Sequence, residues 1–218
     1  MTLALFDLDN TLLEGDSDYL WGRFLIEHGI VDEASHEAQN QRFFDDYKKG
    51  CLDIHAYIAF VAGILSQYDM ETLTAWRTQF VAEKIKPIMR PAATALVDKH
   101  TQQGHTCIII TATNSFVTAP IAQAFGVKHL LGTDIAMDGT RFSTTIDGTP
   151  CFHEGKVTRI NAWIEEKQAS LTGAWFYSDS HNDLPLMKRV SNPVAVDPDE
   201  ILLQEAKDRE WPVITLKS

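Results

Sequence analysis

The chain opens on an unbroken apolar run, Leu3-Ala4-Leu5-Phe6, that stops at two carboxylates two residues apart, Asp7 and Asp9. Such a run fits a strand buried on both faces of a parallel sheet. Alternation along a strand lets Asp7 and Asp9 share one side, toward the cleft at the strand's carboxyl end. From Ser17 to Ile85 the pattern turns helical. Tyr19, Leu20, Phe24 and Leu25 recur at helical spacing with Gly29 as the stop, and Asp32 opens a second helix that runs to Gly50. Ile54, Tyr57, Ile58, Val61, Ile64 and Leu65 make a third apolar face. Met70 to Ile85 predicts a fourth helix, with Leu73, Trp76, Phe80 and Val81 inward.

Beyond Pro87 and Pro91 the pattern alternates. Ala92–Gln103 reads as a helix, Cys107–Ile110 as a strand running into Thr111-Ala112-Thr113-Asn114, and Val117–Phe125 as a helix. His129 to Thr145 is strand-like, with a hairpin turn at Asp138-Gly139. A helix over Gly155–Ala169 follows, then strands at Ala174–Tyr177, Pro193–Val196 and Val213–Thr215. Alternation of this kind predicts an α/β fold: a doubly wound parallel sheet, Rossmann-like, with helices on both faces. The first strand belongs with the later ones. Residues 1–15 and 86–218 are therefore expected to form the core, and residues 16–85 an α-helical bundle inserted as a cap.

Composition adds limits. Of 218 residues, 44% are hydrophobic and 22% charged, as in ordinary globular proteins. A net charge of −11 disfavours non-specific binding to nucleic acid or anionic membrane. Cys51, Cys107 and Cys151 are far apart and form no CxxC pair, so a reducing compartment is expected. No basic leader precedes the first apolar run and no stretch is long enough to span a bilayer, which predicts a cytoplasmic location.

Several strands end in the same kind of polar cluster. The first ends in Asp7 and Asp9, the next in Thr111 and Asn114, and the one at Ala174–Tyr177 in Asp179, Asn182 and Asp183; Lys156 opens a helix. A parallel sheet gathers strand carboxyl ends at one edge, where ligands bind. Crowded carboxylates repel unless protonated or bridged by a cation, and Mg²⁺ suits few carboxylates plus a phosphate oxygen. The chemistry they suit is phosphoryl transfer. Asp7 is the candidate nucleophile and Asp9 the candidate acid and base. Lys156 and the N–H groups near Ala112 and Thr113 are candidates to hold phosphate oxygens. The plain structural alternatives are an Asx-type turn after the first strand, a solvated helix lysine, and helix capping by Asn182 and Asp183.

Asp7-Leu8-Asp9-Asn10-Thr11 resembles the DxDxT signature of the haloacid dehalogenase superfamily. Thr111 resembles its second motif, Lys156 in Glu154-Gly155-Lys156-Val157 its third, and Ser178-Asp179-Ser180-His181-Asn182-Asp183 its fourth, in the form of the phosphoserine-phosphatase-like members. The resemblance implies a Mg²⁺-dependent phosphomonoester hydrolase acting on a small phosphorylated metabolite through an aspartyl-phosphate on Asp7. It implies Asp7, the Asp9 carbonyl, Asp179 and Asp183 as the metal set, and Thr111, Ala112, Lys156 and Asn182 around the phosphate.

The chain departs from the phosphoserine type. Asp16 stands where those members carry a Glu for the substrate's ammonium. Their cap arginine, which clamps a carboxylate, has no counterpart in Cys51–Leu65, a stretch without Arg or Lys; Arg23 and Arg42 are candidate substitutes. Asp16, Asp18, Tyr19 and Trp21, with Phe43, Phe44 and Tyr47, suit a cationic leaving alcohol instead. Asp16, Tyr19 and Trp21 are therefore the candidate specificity residues. Histidinol phosphate is the first expectation, since histidinol-phosphate phosphatases are among the members close to this pattern, which would place the protein in amino-acid biosynthesis. Phosphoserine and phosphocholine are the alternatives. His181, inside the fourth motif, is a further candidate for substrate contact. A phosphotransferase or a non-catalytic phospho-ligand-binding module are the rival classes, and a monomer or homodimer is expected.

Overall fold

A computed structural model describes residues 1–217. At its centre is a seven-stranded sheet in the order β4-β3-β2-β1-β5-β6-β7. The strands are β1 (Leu3–Phe6), β2 (Thr106–Asn114), β3 (His129–Asp138), β4 (Arg141–Asp147), β5 (Trp175–Ser178), β6 (Asn192–Val196) and β7 (Val213–Ile214). All neighbours run parallel except the β3–β4 hairpin, which turns at Gly139. β1 is central: Phe6 pairs with Ile109 on one side and Tyr177 on the other.

Because β1 is covered on both faces, its alternate residues enter two separate cores. Ala4 and Phe6 join one apolar cluster with Ile109 and Tyr177. Leu3 and Leu5 join the other with Ile108, Phe176, Val157 and Ile160. The last two residues lie on α7 (Glu154–Lys167). Asp7 continues the Leu3–Leu5 side, and so emerges on the face where α7 packs.

Between β1 and α5 (Pro91–Gln102) lie α1 (Ser17–Glu27), α2 (Glu33–Lys48), α3 (Ile54–Leu65) and α4 (Met70–Phe80). Each begins at an aspartate whose carboxylate accepts backbone N–H bonds: Asp16, Asp32, Asp53 and Asp69. The expected fourth helix stops at Phe80; Val81–Ile85 forms a π-helical turn and Lys86–Ile88 a 3₁₀ turn. Pro87 has no N–H to continue the ladder, so the tighter 3₁₀ turn ends the segment. The two passages of chain into and out of this segment are tied together. Leu13 and Met89 form an antiparallel bridge, and the Glu14 N–H donates to the Ile88 carbonyl at 2.8 Å. The buried Arg90 guanidinium donates to the Thr11 carbonyl and to Asp197, both at 3.1 Å.

The remaining helices are α6 (Ser115–Ala124), α8 (Leu184–Met187) and α9 (Glu200–Asp208). Thr111-Ala112-Thr113-Asn114 belongs to β2 itself rather than to a following turn, with a register shift against β3 between Ile110 and Asn114. Asn114 then caps α6 through the Val117 N–H. α3 packs against β4, so the helical segment and the sheet's hairpin meet. Among the described residues, no helix is long and apolar enough to cross a membrane.

Candidate active site

The carboxyl ends of β1, β2 and β5 meet the N-terminus of α7 at one edge. Lys156 is 2% exposed. Its ammonium donates to Asp7 Oδ1 at 2.7 Å and lies 2.7 and 2.8 Å from the two oxygens of Asp183. Ser178 Oγ donates to Asp183 Oδ2 at 2.7 Å. Burial works against the charge on Lys156, but Asp183 and Asp7 outweigh it and hold the ammonium above its usual range. Lys156 is thus no solvated helix lysine.

Backbone geometry explains why this helix begins here. His153 adopts a φ of 50°, in the left-handed region, and turns the chain into α7. A Cβ on Gly155 would stand 1.9 Å from the Pro150 carbonyl oxygen, so only glycine fits before Lys156.

Thr11, the last residue of the first motif, ties two strand ends together. Its hydroxyl lies 3.3 Å from Asp7 Oδ2 and 3.0 Å from Asp179 Oδ1, and the Asp179 N–H donates to it at 3.0 Å. Asp179 is raised well above the carboxylate range, by burial first and then by Asp7 and Asp183. Burial also pushes Asp7 up to about 7, against the opposing pull of Lys156. Asp7, Asp179 and Asp183 gather three carboxyl groups around one ammonium in a buried place, where a divalent cation would stabilise their ionised forms. Among the described residues no three His, Cys, Asp or Glu side chains converge as a ready cage. Asp183 places both oxygens against the Lys156 ammonium, and one of them also accepts from Ser178.

Asp9 points elsewhere. Its Oδ1 accepts the Ser17 N–H at 2.6 Å and its Oδ2 the Thr113 hydroxyl at 2.9 Å. Burial, then Asp16, pushes it up to about 7. A single cavity is lined by Asp7, Asp9, Asp16, Asp18, Tyr19, Asn40, Phe43, Phe44, Tyr47, Leu52, Ile54, Tyr57 and Thr111–Thr113. Its walls come from β1, β2, α1, α2 and α3, and they include no Arg or Lys. Thr111 is buried and lies in this lining beside Ala112, whose carbonyl accepts the Thr133 hydroxyl at 2.7 Å.

Other expected residues land differently. Trp21 is 2% exposed and packs against Phe24, Phe80 and Phe116, so it belongs to the core and not to the cavity. Tyr19 and Trp21 share a helix but face different sides of it. Arg23 pairs with Glu37 at 3.1 Å, and Arg42 lies 3.9 Å from Asp46 on the surface; neither lines the cavity. The Asn182 amide is spent on a junction: its Nδ2 donates to the Tyr47 carbonyl at 3.0 Å, and its Oδ1 accepts from His153 Nε2 at 2.7 Å. His181 Nδ1 is bound to Asp199 at 2.7 Å. Sequence reasoning passed over the side chains of Tyr57 and Ser178, and used Thr113 only for its backbone N–H. A hydroxyl two positions beyond Thr111 was a readable signal for Thr113; Tyr57 read only as part of an apolar face.

Residues 4–188 match the family model of haloacid dehalogenase-like hydrolases. A relative named histidinol-phosphatase, from Neisseria meningitidis serogroup C, is 44% identical over 220 residues and covers 99% of each chain. A solved protein of unknown function from Bordetella pertussis Tohama I is 42% identical, with full coverage of both chains and a TM-score of 0.93. A phosphoserine phosphatase solved as a phospho-aspartyl intermediate analogue shares the fold, with a TM-score of 0.71 at 14% identity over 99% of this chain and 93% of that one. The chain belongs to the haloacid dehalogenase-like hydrolases, and it is a phosphatase.

Proposed function

We propose that this protein hydrolyses a small phosphomonoester whose leaving alcohol carries a positive charge and no carboxylate, with histidinol phosphate as the substrate. The observation that carries this reading is the cavity wall: four carboxylates and five aromatic rings without an Arg or Lys. A substrate carboxylate in such an enclosure would meet like charge, at a cost of several kcal/mol (on the order of 2–5). A protonated amine or imidazole would meet opposite charge and ring faces. Phosphoserine fits the wall less well than a carboxylate-free amine. The relative at 44% identity, named for histidinol phosphate, supports the same choice.

In the proposed reaction Asp7 attacks phosphorus. The bond from phosphorus to the alcohol oxygen breaks as the Asp7–phosphorus bond forms, and Asp9 delivers a proton to the departing oxygen. The raised affinity of Asp9 for its proton, from burial, suits that role near neutral pH. Asp9 then takes a proton from water, which attacks phosphorus and releases Asp7. Lys156 holds Asp7 in place and offers charge to the phosphoryl oxygens, with the Thr111 hydroxyl and the nearby backbone as further donors. Asp183 positions Lys156. Mg²⁺, held by Asp7, Asp179 and the Asp9 carbonyl, would neutralise phosphoryl charge.

A panel of histidinol phosphate, phosphoserine and phosphocholine with Mg²⁺ tests the assignment. The highest kcat/KM is expected for histidinol phosphate; a preference for phosphoserine would overturn it.

A further inference from the structure

The cavity holds four carboxylates, and their partners differ. Asp7 is bound by Lys156 and Thr11. Asp9 has both oxygens occupied, by the Ser17 N–H and the Thr113 hydroxyl. Asp16 caps α1: its Oδ1 accepts the N–H groups of Asp18 at 3.0 Å and Tyr19 at 2.8 Å. Asp18 is 9% exposed and lines the cavity, yet it takes no backbone donor and no ion pair among the described residues. Beside it stands the Tyr57 hydroxyl of α3, whose ring packs edge-on against Phe43 at 5.2 Å. Ionising a buried carboxylate that lacks a positive partner is unfavourable, and an incoming cation offsets that cost.

We infer that Asp18, with Tyr57 beside it and Phe43 behind, is the receptor for the protonated nitrogen of the leaving alcohol, while Asp16 is its scaffold. The inference rests on the reading of a cationic substrate given above and assigns that recognition to a different residue from the one the motif spacing favours. Asp16 stands where related enzymes hold an ammonium, but here it is committed to the helix N-terminus. Asp18 projects from the first turn of α1, so the Asp16 cap fixes the position of the residue that does the binding. The ring faces add attraction for an ammonium or imidazolium without accepting its hydrogen bonds.

The test compares wild type, Asp18→Asn and Asp16→Asn in Mg²⁺ with histidinol phosphate, phosphoethanolamine and p-nitrophenyl phosphate. Asp18→Asn is expected to raise KM for both amine esters about tenfold or more, and to raise it for the nitrophenyl ester several-fold less. Asp16→Asn is expected to lower the melting temperature and to affect all three esters by a common factor. Tyr57→Phe, which keeps the ring, should raise KM for the amine esters about threefold and guards against misfolding of the first variant. If Asp18→Asn acts equally on all three esters, if Asp16→Asn discriminates more strongly, or if the wild type shows no preference for amines, the inference falls. If histidinol phosphate is turned over but Asp18→Asn does not discriminate, the substrate reading survives and the inference fails. If phosphoethanolamine is turned over with the Asp18 penalty and histidinol phosphate is not, the reverse holds.

Discussion

Lys156 lies 149 positions after Asp7 in the chain, and its ammonium is 2.7 Å from the Asp7 carboxylate. The contact joins the end of the central strand to the first turn of α7, with Asp183 closing the triangle from beyond β5. The two carboxylates hold the buried ammonium charged against the cost of its desolvation.

Asp7→Asn keeps the shape of the side chain and removes the proposed nucleophile. Turnover should fall by about 10³-fold or more while far-UV circular dichroism stays native. Acid-quenched wild-type enzyme should carry phosphate on Asp7 and the variant none. Retained turnover would remove Asp7 from the role.

Lys156→Ala leaves Asp7 and Asp183 facing each other without a cation. Removing one partner of a buried pair costs about 3–5 kcal/mol, read as a lower urea midpoint. Lys156→Met, which keeps the packing volume, should lose as much activity as the alanine variant. A midpoint unchanged in both would mean that the ion pair does not stabilise the fold.

Gly155→Ala forces a methyl against the Pro150 carbonyl oxygen and must displace the start of α7. Destabilisation above about 2 kcal/mol is expected, with activity falling further because Lys156 moves. A fully active, fully stable variant would show that the 150–156 turn yields freely.

Without metal, stability should fall as pH rises. Asp7, Asp9 and Asp18 are each raised by burial to about 7, and Asp16 to about 6. Their folded forms hold protons that the unfolded chain has lost above about 4, so the stabilisation is complete at low pH and disappears through pH 7. His100 works in the opposite sense: burial, then His105, lowers it to about 4, which removes stability only as pH falls below 6.5. Between pH 6.5 and 8 the carboxylates act alone. Thermal melting in EDTA should therefore drop across that window, and saturating Mg²⁺ should flatten the slope. A melting temperature that rises with pH in EDTA would contradict the account.

Asp16→Ala removes the α1 cap and should cost about 0.5–2 kcal/mol, a loss measurable by urea unfolding whatever the substrate.

The α/β alternation, the central position of the first strand's chemistry and the strand-end carboxylates were legible in the sequence. Buried strands, amphipathic helices and aspartate caps are local patterns, and Asp7, Asp9 and Asp179 stand directly at the ends of apolar runs. The π-helical exit at Val81–Ile85 was not legible, because only the tie between Leu13 and Met89 dictates where the chain must return.

What the sequence determined by itself is therefore what repeats within a turn or a pleat: which stretches are strand or helix, where each begins, and which residues end up at the sheet's functional edge. What only the tertiary structure decided is which face of each helix meets which neighbour. Trp21 went to the core and Tyr19 to the cavity, Asn182 was drawn to His153 and Tyr47, and Asp18 was left beside Tyr57 without a cation. A helix's rotation about its own axis is set by the fit of its apolar face against other segments, and residue spacing along one segment carries no record of that fit.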